Sequence, residues 1–252
     1  MKKTILFSLV IVLLVTVSRW QIPVTWGSPL PQSMFFGQNY SSNTSHFTFT
    51  SGHNFAVASA TKTGFNATGD NFCVIASAGY PPSGKTFSST PSNTWNVLTN
   101  YVQSNGTVWV AYTTFPASVS SSMTFNSGTT FASMTGACFN DSGSLGTLDS
   151  GSTNGNTQAG ASSTIQPGTA TIAGSNELVI TVAGLDYNSV GFWNSVDSGF
   201  TLIGTEAGTA VPVIGNSSAF LIQTTASNVN PTWTLLSGSL PNTNSSIAAF
   251  KP

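Results

Sequence analysis

The chain reads as an all-β protein, a jelly-roll-like antiparallel β sandwich built from two related halves and preceded by a signal peptide. Three observations predict this. First, Asp70 to Gly79 (DNFCVIASAG) and Asn176 to Asp186 (NELVITVAGLD) share a pattern: polar residues lead into about eight β-branched and small apolar residues bounded by Gly. A run of that kind is a buried central strand and is too short for a globular helix. Second, the segments downstream of each copy also match, in the same order. SNTWNVL (Ser92 to Leu98) answers SGFTLI (Ser198 to Ile203), and TVWVAYTT (Thr107 to Thr114) answers SAFLIQTT (Ser218 to Thr225). SMTF (Ser122 to Phe125) pairs with TWTL (Thr232 to Leu235), and TGACFN (Thr135 to Asn140) with SIAAFK (Ser246 to Lys251). The offset runs from about 105 to 111 residues, a diverged duplication. Third, no amphipathic helical period occurs beyond the N-terminus, while Gly, Asn and Ser turn signals separate short apolar runs.

In chain order, Met1 to Val17 carries Lys2 and Lys3 and then an apolar run from Ile5 broken only by Ser8 and Thr16. This is the length of a secretory h-region and short for a membrane span. Residues 1–20 are read as an export signal with an uncertain cleavage site, and an uncleaved signal anchor is the alternative. Residues 21–45, rich in Pro, Gln, Ser and Asn, form a leader or linker. Its Met34, Phe35 and Phe36 either tuck against the sandwich edge or serve as a donor strand for a neighbouring subunit. Residues 46–252 are read as one β-sandwich domain with halves at about 46–149 and 160–252. His46 to Phe49 and Phe55 to Ala60 alternate ahead of the first central strand, and Ile165 to Ile172 precedes the second. Leu145 to Thr164, almost wholly small and polar, joins the halves. Two tandem immunoglobulin-like domains are the alternative architecture.

Composition narrows the function. Only 5% of the 252 residues are charged, yet 40% are apolar and 11% aromatic, enough to bury a core. Beyond the signal, Lys62, Lys85 and Lys251 face seven carboxylates, a net charge near −4. Without a basic patch, neither nucleic acid nor an anionic membrane surface is an expected partner, and no membrane span is expected in the mature chain.

The ordered set DNFCVIASAGY, SNTWNVL, TVWVAYTT, SNELVITVAGLDY, SGFTLIG and IAAFKP resembles a family of uncharacterised secreted bacterial domains that accompany extracellular β modules. The resemblance spans about Ser45 to Pro252. It implies a single exported jelly-roll-like sandwich associated with the cell surface, and it carries no catalytic residues.

Reactive chemistry is sparse. His46 and His53 have no ligand spacing toward a metal, no GxSxG motif occurs, and Asp70 and Glu177 at strand starts suit turn chemistry better than catalysis. No catalytic or metal site and no cofactor is therefore expected. Asp186 closes the second organising strand, and Asp141, Asp149 and Asp197 lie beside Ser, Gly and Asn in loops of the kind that hold structural calcium, with Asx turns the alternative. Cys73 and Cys138 stand in the first and last strands of one half, where either a disulfide or two buried thiols fits an exported protein.

Aromatic residues divide by position. Trp95, Trp109 and Trp233 fall at strand sites matching Phe200, Phe220 and Met123, and so read as core. Tyr187, Phe192 and Trp193 fall in a loop whose counterpart carries Tyr80 and Phe87. These five residues make a candidate aromatic rim for sugar rings, with a folded-back satellite cluster as the alternative. The expected function is a non-enzymatic, secreted or cell-surface adhesion or binding module with a glycan ligand. The alternatives are a self-assembling surface subunit and, behind it, a polysaccharide hydrolase.

Overall fold

Antiparallel strands joined by turns make up the described chain, and no helix occurs among the described residues. The computed structural model describes residues 46–81, 85–103, 106–114, 120–129, 131–143, 146–185, 190–191, 193–209, 214–235 and 240–252. The signal and leader readings, residues 1–45, lie outside them. The first half contains β1 (Phe47–Val57), β2 (Thr61–Phe65), β3 (Phe72–Tyr80), β4 (Ser88–Thr90) and β5 (Asn96–Val97). It continues with β6 (Tyr101–Gln103), β7 (Gly106–Thr114), β8 (Met123–Asn126) and β9 (Phe131–Asp141). The second half begins earlier than expected, because the segment read as a connector forms strands on its last strand: it contains β10 (Thr147–Leu148), β11 (Asn154–Ser162), β12 (Thr164–Ile165), β13 (Glu177–Leu185), β14 (Val190–Gly191) and β15 (Trp193–Val196). It ends with β16 (Thr201–Glu206), β17 (Gly208–Thr209), β18 (Asn216–Gln223), β19 (Trp233–Leu235) and β20 (Leu240–Lys251).

The duplication is visible in the connectivity. One central sheet has the order β1-β9-β3-β7-β5, with β6 also on β7; the other has β10-β20-β13-β18-β16, with β11 further along β20. Each half adds a three-stranded outer sheet, β2-β8-β4 in the first and β12-β19-β15 in the second, and β14 pairs β17 as a separate ribbon. The orders correspond strand for strand, with β10 and β11 together standing where the bulged β1 stands in the first half. The two organising runs form β3 and β13, which are buried along nearly their whole length. The layering accounts for this: each central sheet packs against the other central sheet on one face and against its own outer sheet on the other. Strands covered on both faces carry continuous apolar runs instead of alternation.

Four buried clusters lie in and beside the layers, one of them packing Val179, Ile247 and Ala249 on Ala170 and Ile172 in the second half. Phe72, Val74, Val110 and Phe139 of the first central sheet meet Leu178, Ile180, Phe220 and Phe250 of the second. Cys73, Ile75 and Met134, on the reverse of the first central sheet, pack on Phe65, Met123 and Phe125 of its outer sheet. Ala183, Leu185 and Ala219 pack likewise on Ile165, Trp193, Trp233 and Leu235 in the second half. Cys73 and Cys138 are disulfide-bonded across one rung of the β3–β9 ladder, with Cα atoms 4.1 Å apart. Val179 and Ala249 form the equivalent rung between β13 and β20.

One sequence correspondence needs correction. Asn96 lies opposite Tyr112 and Thr201 opposite Phe220, so Tyr112 and Phe220 are the equivalent pair. Trp109 therefore corresponds to Ser217, not to Phe220. The shared Thr-Thr ending of the two segments suggested an alignment three residues out of register. An odd slip exchanges the faces of a strand, and Trp109 indeed faces the outer sheet while Phe220 faces the other central sheet. Both Trp109 and Trp233 are fully buried, in keeping with their reading as core.

The two central sheets run alongside each other in the same sense. At the start of β3, Phe72 meets Phe250, which pairs with Leu178 at the start of β13, with ring centroids 5.1 Å apart. At the far end, a Cβ on Gly184 would lie 3.2 Å from that of Ala78. The contact surface changes character along this direction. The near end is aromatic. The far end holds Asn216, Ser218 and Asn244 of the second half against Ser133 and Thr135 of the first, all buried. Asn216 Nδ2 donates to Ala76 O at 3.1 Å and to Thr135 Oγ1 at 3.3 Å, bonding one central sheet to the other.

Candidate binding site

The aromatic rim loses its main residue. Trp193 is fully buried and packs with Leu185, Trp233 and Leu235 between the second central sheet and its outer sheet. It belongs to β15, where it lies opposite Leu235. Strand alternation turns a residue in that register inward, and its backbone oxygen is tied down by Ser217 Oγ at 3.0 Å and Thr205 Oγ1 at 3.3 Å. The expectation that Trp193 offers a stacking face is corrected accordingly. Phe87 is half-buried against Trp95, with centroids 4.8 Å apart, and Tyr80 is half-buried at the end of β3. Tyr187 and Phe192 lie outside the described residues. Tyr80 and Leu185 stand at the same end of the two organising strands.

A different site comes from the opposite end of the second half. There the end of β18, the following turn segment and Ser198 enclose an open hollow of about 420 Å³. Its lining is mostly amide and hydroxyl, including Gln223, Asn228, Asn230 and Ser198, with Leu221, Ile222 and Val229 as the apolar members. The frame is held at several points. Asp197 Oδ1 accepts the Thr232 N–H at 2.7 Å and the Ser198 hydroxyl at 2.9 Å. Burial opposes its charge, but those bonds outweigh the opposition and hold the carboxyl below its ordinary range. Val229 and Ala170 exchange backbone bonds at 2.8 and 3.1 Å. Gln223 Nε2 donates to Ser227 O at 2.8 Å and Oγ at 3.0 Å, while its Oε1 is buried without a protein donor. Sequence reading missed this hollow, because a run such as TTASNVNPT resembles every other turn in a chain so rich in Ser, Thr and Asn.

Ionisable groups form two separate clusters. His53 Nδ1 lies 2.6 Å from Asp70 Oδ2, and Asp70 is buried. Burial raises the Asp70 pKa, only partly offset by the hydrogen bond and charge of His53. In the second half Lys251 Nζ lies 2.7 Å from Asp149 Oδ1, with Glu177 buried beside them. Lys85 covers the ring of Trp109 at 4.6 Å, and burial lowers its pKa to about 8.

Each described loop carboxylate considered for calcium has at least one protein partner, although Asp141 Oδ2 is buried without one. Asp141 Oδ1 accepts the Gly143 N–H at 2.8 Å, Asp149 holds Lys251, and Asp197 caps Thr232. Asp186 lies outside the described residues. Among the described residues no three His, Cys, Asp or Glu side chains gather as a metal site, and no helix is long and apolar enough to cross a membrane. No protein-family model, no curated protein and no solved structure matches the chain, so its function is read from its own residues.

Proposed function

We propose that this chain is an exported extracellular binding module, non-enzymatic, in which the single jelly-roll-like sandwich expected over 46–252 gives way to two, one in each half, packed through their larger sheets. The shared strand orders support the jelly-roll assignment, and the Cys73–Cys138 disulfide is compatible with export. The ligand class is glycan. The observation that carries it is the hollow beside β18, whose size falls in the small-ligand range and whose amides and hydroxyls match the donors and acceptors of a sugar. Leu221, Ile222 and Val229 supply apolar surface that suits the C–H face of a pyranose. The test is a glycan array with the purified mature chain, repeated with Gln223→Ala and Asn228→Ala. Selective binding lost in both variants, with melting temperature unchanged, supports the reading; binding untouched by either overturns the site.

A second reading rests on β11. Among the described residues this nine-residue strand pairs with β20 alone, is partly exposed, and contains neither Lys nor Pro to block its other edge. Pairing of that edge between copies makes the chain a self-assembling surface subunit. Size-exclusion chromatography with light scattering separates the two: a β11 Thr157→Pro variant stays monomeric where the parent assembles.

A further inference from the structure

We propose that Lys251 and Asp149 become joined by an amide bond between their side chains, with Glu177 as the proton carrier. The two reacting residues are brought together by the last strand. Thr147 pairs with Lys251 and Leu148 with Phe250, and the Asp149 N–H continues the ladder by donating to Ala249 O at 2.9 Å. Ser152 then locks the Asp149 backbone, its Oγ donating to Asp149 O at 2.7 Å and accepting the Ala249 N–H at 3.0 Å. The Asp149 carboxyl, only 3% exposed, is thereby held against Lys251 Nζ at 2.7 Å, and its second oxygen accepts the Ala173 N–H at 3.3 Å.

Glu177 completes the group. It is fully buried, its Oε1 accepts the Gly174 N–H at 2.7 Å, and its Oε2 has no hydrogen-bond partner. Two carboxyls beside one amine leave one negative charge unbalanced, which favours proton uptake by one of the acids. Burial raises the Glu177 pKa, and the neighbouring Asp149 charge adds to that. Burial works against Asp149, yet the bonds from Lys251 and Ala173 outweigh it and lower its pKa. Of the two acids, Glu177 is therefore the one that takes a proton more readily.

The resting state is the ammonium–carboxylate pair, since the Asp149 bond holds the Lys251 amine above its ordinary pKa. A proton crossing the short bond gives the neutral amine and neutral acid. The Nζ lone pair adds to Cγ, a C–N bond forms, and one C–O bond breaks. The departing oxygen takes two protons that began on the ammonium and leaves as water. Glu177 gives a proton to that oxygen and recovers one from nitrogen, ending as it began, so no oxidant or reductant is needed. The Lys251 side chain is 44% exposed, which leaves a path to solvent for the water. A fixed geometry of this kind is worth effective molarities of about 10⁵ M or more, and one event per molecule suffices.

The first half shows why a fastening belongs here. There the disulfide ties the central strand to the last strand, and at the positions of Glu177 and Lys251 stand Asn71 and Asn140. The second half has Val179 and Ala249 in place of the cysteines. Each half thus carries one covalent tie on its final strand, of different chemistry.

Intact mass spectrometry of the reduced, denatured mature chain, with its N-terminus sequenced, tests this directly. The expected mass is one water below that of the sequence, and digestion yields a branched peptide joining the Asp149 and Lys251 segments. Lys251→Arg keeps an ion pair but shows the full mass. Glu177→Gln loses water more slowly, by about a hundredfold, the order expected for lost proton transfer. Full mass in the aged parent chain overturns the proposal, as does a deficit that persists in Lys251→Arg.

Discussion

Truncating Phe250 to Ala tests whether the two halves are one folding unit. Phe250 is fully buried, and its ring meets Phe72 at 5.1 Å and Tyr112 at 4.9 Å, both on the opposite central sheet. Removing a buried Phe side chain costs about 3–5 kcal/mol, and the two cross-sheet aromatic contacts place this site at the upper end. Domains of this class have total stabilities of about 5–15 kcal/mol, so the loss is a large share of the whole. The counterpart Phe139 meets Phe220 at 5.3 Å across the same contact, and Phe139→Ala should cost a similar amount. The assay is urea unfolding followed by tryptophan fluorescence. Trp95 and Trp109 report on the first half, and Trp193 and Trp233 on the second. One transition with an unchanged slope and a lowered midpoint is expected in each variant. A loss below about 1 kcal/mol, or separate transitions for the two halves, would refute the reasoning, because the central contact would then not be what stabilises both.

Three further outcomes are expected. Reducing the Cys73–Cys138 bond, which closes a separation of 65 residues, should cost about 4 kcal/mol on the chain-entropy model, read as the shift in urea midpoint with and without reductant. Trp193→Ala should lower stability by about 3–5 kcal/mol, detected by thermal melting, because Trp193 packs in a core. Asp70 has a folded pKa raised chiefly by burial, so its protonation favours folding. That contribution is fully present below the unfolded value near pH 4 and is lost as pH rises through the raised pKa. Asp70→Asn should therefore gain stability relative to the parent as pH increases from about 4; a constant difference across urea melts at several pH values counts against this.

How far the sequence could be read depended on whether burial was one-sided. The runs in β3 and β13 were legible because both faces are covered, and continuous apolar runs have no other economical explanation. The correspondence of Cys73 with Val179 and of Trp95 with Phe200 followed from the same copies. Trp193 was misplaced because a four-residue strand hidden inside a polar loop has too little alternation to declare its inward face. The burial of Asn216 and Asn244 was not legible either, since an amide carries no mark of the partner it will find across a sheet. The Lys251, Asp149 and Glu177 cluster was equally hidden. Its members stand far apart in the chain and meet only through the β10–β20 and β13–β20 ladders.

The graded contact between the central sheets has a mechanical meaning. Its aromatic end resists water, whereas at the other end Asn244 has no protein partner for either amide atom. Hydroxyls and amides there can exchange protein partners for solvent at little cost, while Phe72 and Phe250 cannot. A pull that parts the halves will therefore start beside Asn216 and Asn244 and travel toward the rings. The joint is built to peel from one end before it fails as a block.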